Sequence, residues 1–207
     1  QLIEDLKWNR SDAVINDTSL EQVTFGSTST SYTVKDLIGV DYNDSKWDDL
    51  VNQLTWNQAS KLVRTGGYST LAIDSIGLPS TQDKDGPSGI SGTLVGGTSC
   101  MAWPAEVVMS STWNKDLIEE VGIHIGEDSI AANVAGWYAP GIDIHRSPYS
   151  GRNFEYFSED GYLSGIIAAS EMKGVRSMGV IAYMKHFALN DQETNRYGCL
   201  LYTSDAA

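Results

Sequence analysis

Cysteine is nearly absent: Cys100 and Cys199 are the only two in 207 residues. Two are too few for a disulfide framework, and they leave the redox compartment undecided. Basic residues are scarce as well. Fourteen Lys and Arg stand against 27 Asp and Glu, for a net charge of -13, which argues against a partner whose phosphates need a basic face. No apolar run is long enough to cross a bilayer as a helix, and no charged segment followed by an apolar stretch marks a secretory leader. The composition therefore predicts no nucleic-acid partner and no membrane partner, and leaves cytoplasm and secretion equally open. Gly96-Gly97 is not followed by Lys-Ser or Lys-Thr, so the Gly- and Thr-rich stretch 91–99 reads as a loop and not as a phosphate cradle. What the chain has in quantity is aromatic side chains, with six Trp and ten Tyr. Aromatic faces beside an acidic surface suit a neutral, hydroxyl-rich ligand, although a merely solvated acidic surface reads the same way.

Residues 1–45 are turn-rich, with Asn16-Asp17-Thr18-Ser19 and the run 26–31, and read as a lead-in or linker. Apolar residues at near-helical spacing (Trp47, Leu50, Val51, Leu54, Ala59, Leu62, Val63) predict one helix over 46–64, closed by Gly66-Gly67. Residues 75–79 read as a short strand emptying into the turn at Asp85-Gly86-Pro87. Pro104 is placed to open a long helix running through Ile130, with His124 inside it as a surface or satisfied core residue. Trp103 and Trp113 are candidates to line a ligand site, with Trp113 the better candidate for core packing.

The rest of the chain is organised around 136–196. An apolar strand-like run, 137–144, gives way to a block rich in His, Arg, Glu and Asp. An amphipathic helix through 162–175 follows, then a second apolar strand, 180–184, ending in Lys185-His186. Strand, polar loop, helix and strand make a βαβ unit whose polar residues follow the carboxyl ends of the strands. Parallel α/β sheets and (β/α)8 barrels carry their ligand sites at that edge. On a regular strand Lys185 and His186 point to opposite faces, so both reach one ligand only if the strand ends irregularly. Asp143 and His145, two apart on the predicted strand, share a face; with His186 they form a candidate zinc set for a metal-dependent hydrolase, although no other feature calls for a metal.

Three motifs then carry a resemblance. The runs DGPSG at 85–89, GRNFEYFSED at 151–160 and KHFALNDQETNR at 185–196 together resemble the N-terminal barrel domain of glycoside hydrolase family 3, over roughly 46–198. The β-glucosidase and β-xylosidase branch is the nearer one. Another branch of the family follows Lys-His-Phe with Pro-Gly-His-Gly, where this chain has Ala188-Leu189-Asn190-Asp191. The resemblance implies a (β/α)8 barrel, of which 46–198 would be roughly the first half, since a complete barrel takes about 250 residues.

It also implies an exo-acting, retaining β-glycosidase without cofactor or metal, acting on terminal β-linked glucosides, xylosides or oligosaccharides. Asp85, Arg152, Lys185 and His186 would grip the sugar, with Asp143, Glu193 and Arg196 as support around the pocket. Chemically the set is apt, because charge-assisted hydrogen bonds are strong and directional toward hydroxyls. The catalytic nucleophile, an Asp on a later barrel strand, and the acid/base from a second domain would both lie outside this chain. Residues 1–45 would then be a linker, from an upstream domain in some arrangements of the family. Residues 199–207 match no family pattern and read as a non-native tail resembling translated adapter sequence. A sugar-binding remnant without catalysis is the alternative on these residues.

Overall fold

The computed structural model describes residues 26, 29–90, 100–186 and 189–193. Two short helices open the described chain, α1 (Lys46–Asn52) and α2 (Trp56–Thr65). One helix was expected here, and Thr55 divides it. Its hydroxyl accepts from the Gln58 N–H while the Gln58 side chain accepts from the Thr55 N–H, a reciprocal capping box that starts a new helix where the apolar spacing alone predicts continuation. The packed unit also begins earlier than the composition indicates. Leu37 is buried and joins Leu50, Leu54, Ile73 and Ile76 in one cluster, against which Tyr32, Val34 and Val40 pack.

The sheet has four strands in the order β1 (Ser69–Thr70), β2 (Thr81–Asp85), β3 (Gly136–Tyr138) and β4 (Ile181–Ala182). β1 runs antiparallel to β2, whereas β2, β3 and β4 are parallel. The strand expected over 75–79 is a single turn of 3-10 helix, Asp74–Ile76, closed by Gly77 in the left-handed region at φ +63°. The strand lies instead in the polar run TQDKD, which alternation of apolar residues cannot reveal.

Between β2 and β3 stand α3 (Glu106–Ser110) and α4 (Lys115–Ala131), where one long helix was expected. Trp113 adopts φ +54°, and the Asn114 side chain accepts from the N–H groups of Asp116 and Leu117, capping α4 afresh. Trp113 is 75% exposed, so its expected place in the core is not the observed one. α5 (Gly161–Ser177) joins β3 to β4 and is capped by Asp160, whose carboxylate accepts from the N–H groups of Tyr162 and Leu163. The three parallel strands and their helices form two successive βαβ units, the architecture of a partial (β/α)8 barrel.

Trp137 on β3 is completely buried among Ile90, Ile125, Val134, Val175 and Val180, and its indole N–H donates to the Gly86 carbonyl at 2.6 Å. That bond ties the helix-facing core to the loop leaving β2. A third cluster, Met109, Ile118, Phe157, Ile167 and Ala168, fills the space between α3, α4 and α5. The two long helices, α4 and α5, approach closely enough to touch backbone to backbone. A Cβ at Gly122 would collide with the Glu171 carbonyl, and one at Gly174 with the Glu119 carbonyl.

β3 is shorter than the apolar run 137–144 suggests. It ends at Tyr138 because Pro140 offers no N–H to a ladder. The peptide Ala139-Pro140 is cis. Pairing resumes only as an isolated bridge between Gly141 and Lys185, with Lys185 N–H donating to the Pro140 carbonyl at 2.9 Å and Ile142 N–H to the Lys185 carbonyl at 2.6 Å.

Candidate functional site

The carboxyl ends of β2, β3 and β4 bring three separated segments together. Asp85 is the last residue of β2. Arg152 and Glu155 come from the loop after β3, where Asn153–Glu155 forms a 3-10 turn. Lys185 and His186 follow β4. Asp85, Arg152, Glu155 and Lys185 border an open cleft of about 450 Å³, lined also by Gly89, Met101 and Phe154, and His186 is joined to it through Arg152.

Lys185 Nζ donates to Asp85 Oδ1 at 2.5 Å and lies 3.8 Å from Glu155 Oε2. Arg152 spends its planar fork on three partners: Nε donates to Glu155 Oε1, Nη1 to Glu193 Oε1 at 3.4 Å, and Nη2 to His186 Nε2 at 3.0 Å. The Arg152 side chain is 15% exposed and that of Glu155 8%. Burial works against the charge on Arg152, yet the hydrogen bond and field of Glu155 raise its pKa above the ordinary value. Both cations are therefore held nearly dry and pre-aimed.

A guanidinium only donates, so His186 Nε2 is the acceptor and the ring proton sits on Nδ1. Nδ1 faces the Tyr156 hydroxyl at 2.9 Å and Asp143 Oδ2 at 3.7 Å. Tyr156 is buried, and burial first of all pushes its phenol pKa above the ordinary value. Asn190 closes the ring, donating from Nδ2 to the Tyr156 hydroxyl at 2.6 Å and from its backbone N–H to Asp143 Oδ1 at 2.9 Å.

The residues singled out from sequence thus divide clearly. Asp85, Arg152, Lys185 and His186 lie in one continuous network with Glu193 and Asp143. Arg196 lies outside the described residues. Lys185 and His186 both reach the Arg152–Glu155 pair, and the regular ladder has already stopped at Ala182, leaving only the Gly141 bridge. Asp143 anchors the segment carrying Asn190.

The candidate zinc set does not assemble. No strand carries Asp143 and His145; His145 Nε2 turns to the Tyr156 carbonyl at 2.9 Å, and no group of three or more metal-ligating side chains occurs among the described residues. Trp103 supports the cleft indirectly. Its backbone N–H donates to the Ser88 carbonyl at 2.9 Å, and its ring stacks on His124.

Two members of the network, Tyr156 and Asn190, escaped the sequence reading as individual residues, whereas Glu155 is readable there as a structural clamp for Arg152, the pairing found here. Tyr156 and Asn190 fall within the recognisable runs but look like ordinary aromatic and polar positions. The available signal was their setting beside Arg152 and His186 in the same short motifs.

A polar cleft at the carboxyl ends of parallel strands, walled by two partly buried cations and alternating carboxylates, places the chain among barrel-type domains that carry their site on the strand-end loops. The sequence pattern of the family described as "Glycosyl hydrolase family 3 N terminal domain" matches residues 24–197, and the chain belongs to this family. Beta-glucosidase A of Butyrivibrio fibrisolvens is 39% identical over 160 residues, which are 73% of this chain and 19% of that protein.

Among solved structures, beta-glucosidase 3B from Thermotoga neapolitana in complex with alpha-D-glucose superposes with a TM-score of 0.65 at 39% identity, covering 72% of this chain and 24% of that one. A beta-glucosidase from Paenibacillus barengoltzii gives a TM-score of 0.69 at 30% identity, covering 82% of this chain and 20% of that one. The chain spans about a fifth of the length of the curated relatives it matches.

Proposed function

We propose that this chain supplies the sugar-gripping half of the active site of an exo-acting β-glycosidase, which removes a terminal non-reducing β-linked glucose or xylose with retention of configuration. Asp85 and Lys185 bind sugar hydroxyls as an acceptor and donor pair, while Arg152 and His186 bind from the opposite wall. Glu193, Asp143 and Arg196 hold these side chains in place.

The observation that carries this reading is the convergence of Asp85, Lys185 and Arg152 on one cleft at the strand ends, with His186 joined to it through Arg152. A sugar hydroxyl is both donor and acceptor. A wall that alternates cation and carboxylate satisfies several hydroxyls at once, and charge-assisted bonds give that grip its direction. Names given to the relatives support glucose as the sugar.

In this reading residues 46–198 form roughly the front half of the barrel. Hydrolysis by retention needs a carboxylate nucleophile about 5 Å from a proton-donating carboxylic acid, and we assign both to barrel and second-domain sequence beyond residue 198. The 207-residue chain alone should accordingly leave an aryl β-glucoside intact. Joined to the sequence that follows the Gly198 codon in its gene, it should hydrolyse the same compound and release the β-anomer first. Turnover by the chain alone, or release of the α-anomer by the extended protein, would overturn the assignment. A gene that stops after residue 207 would favour the sugar-binding remnant.

A further inference from the structure

The cleft has a second kind of surface that the sugar network does not use. Among the described residues lining it, Asp85, Arg152, Glu155 and Lys185 carry charge, and only Ser88 and Cys100 among the others have a side chain able to hydrogen-bond. Met101 and Phe154 are large, apolar and more than half exposed, at 62% and 57%. Single exposed apolar side chains are ordinary. Two that line the same cleft beside an ionic network are not, because grouped apolar surface rimmed by polar residues marks a place where something binds.

Both side chains stand on braced backbone. Met101 belongs to a segment pressed against the loop leaving β2: a Cβ at Gly89 would collide with the Met101 carbonyl, and the Trp103 N–H donates to the Ser88 carbonyl at 2.9 Å. Phe154 is the middle residue of the 3-10 turn Asn153–Glu155. Asn153 Nδ2 donates to the Ser147 carbonyl at 2.7 Å on one side of it, and the buried Glu155 is bonded to Arg152 on the other. An apolar wall set in advance needs little ordering when a ligand arrives.

The two kinds of surface lie at different depths. The side chains of Arg152, Glu155 and Lys185 are each no more than 15% exposed, whereas Met101 and Phe154 reach toward solvent. A terminal sugar gripped by the charged groups therefore carries its leaving group outward, past Met101 and Phe154. The volume of about 450 Å³ lies in the range of pockets for drug-sized ligands, which leaves room beside one hexose. A second sugar would bring hydroxyls that need partners in this outer part. The carbonyls of Gly86 and Ser88 already accept from the Trp137 indole and the Trp103 N–H, and a hydroxyl taken from water without a partner is costly. A flat apolar group has no such need; it stacks on a phenyl ring and makes favourable contact with a thioether.

We propose that Met101 and Phe154 form a leaving-group subsite that selects β-glucosides of aryl alcohols over those whose leaving group is a second sugar. The inference rests on the sugar reading proposed above.

Titration calorimetry on the 207-residue chain with glucose, methyl β-glucoside, phenyl β-glucoside and cellobiose tests it. The phenyl compound should bind about fivefold more tightly than the methyl one, the gain expected of one aromatic contact, and cellobiose no more tightly than the methyl one. In Met101→Ala/Phe154→Ala the advantage of phenyl over methyl should vanish, and in Phe154→Leu, which keeps an apolar side chain, part of it should remain. Each ratio is taken within one variant, so a smaller folded fraction does not alter it. Equal binding of the phenyl and methyl compounds by the unaltered chain, tighter binding of cellobiose than of the phenyl compound, or an advantage that survives the double variant would overturn the inference and leave the sugar reading standing. Failure of glucose and all three glucosides to bind would overturn the sugar reading and this inference with it.

Discussion

Arg152→Ala is expected to weaken sugar binding by roughly 10- to 100-fold, equivalent to about 1.5–3 kcal/mol for a charged hydrogen-bonding group. The guanidinium reaches Glu155, Glu193 and His186 with separate nitrogens, so its removal takes away a sugar donor and leaves the His186 ring without its Nε2 partner. It also strands the buried Glu155 carboxylate beside a single cation 3.8 Å away. Breaking one side of a buried pair costs about 3–5 kcal/mol of stability, and a binding assay alone would confuse the two effects. Arg152→Ala/Glu155→Gln separates them: thermal stability should largely return while glucose affinity stays low. Arg152→Lys should not rescue binding, because an ammonium cannot serve three partners from one planar fork. Titration calorimetry with glucose alongside thermal unfolding provides both readouts, and unaltered affinity in Arg152→Ala would remove this residue from the site.

Gly174→Ala is expected to produce the largest loss of stability, about 3 kcal/mol, at the upper end of what overpacking costs in a close-packed interior. The added methyl would be driven into the Glu119 carbonyl, with Ile123 N 2.7 Å away. Neither neighbour is the end of a flexible side chain, so relief requires α4 and α5 to separate along their contact. That separation would reach Glu171, three residues earlier on α5. Gly165→Ala on the same helix is the control. Nothing lies within 4 Å of its added Cβ, and the exposed helical site should gain about 0.5–1 kcal/mol from propensity. Denaturant unfolding of the pair should therefore give shifts of opposite sign. Equal shifts would mean that α4 and α5 are not packed as described.

How much of this could be read from the residues depends on what kind of signal each part carries. Asp85, Arg152, Lys185 and His186 were recognisable because short motifs fix residue types at strand ends, where topology then brings them together. Helix lengths were less legible. The spacing of Leu50, Leu54, Ala59 and Leu62 runs across Thr55 without interruption, and only the hydrogen bonding of Thr55 with Gln58 shows that a new helix begins there. Asn114 does the same for α4 behind Trp113. β2 was hidden for a different reason: its residues are polar, with Asp83 and Lys84 both buried in the folded sheet. The full burial of Glu106 and Glu171 was invisible too, since a Glu on a helix ordinarily means a solvated face. Their burial is decided by α3 and α5 packing against one another and against the turn after β3, information that no local window contains.

The central claim, that the strand-end cleft grips a sugar, is tested most directly by mapping glucose onto the 207-residue chain through backbone amide shifts. We expect saturable changes at Asp85, Arg152, Lys185 and His186, and their disappearance in Lys185→Met, which keeps the length of the side chain and removes its charge. Changes confined instead to the cavity of about 430 Å³ at the opposite end of the strands, lined by Gln82, Asn133 and Ala135, or binding that survives unchanged in Lys185→Met, would contradict the account.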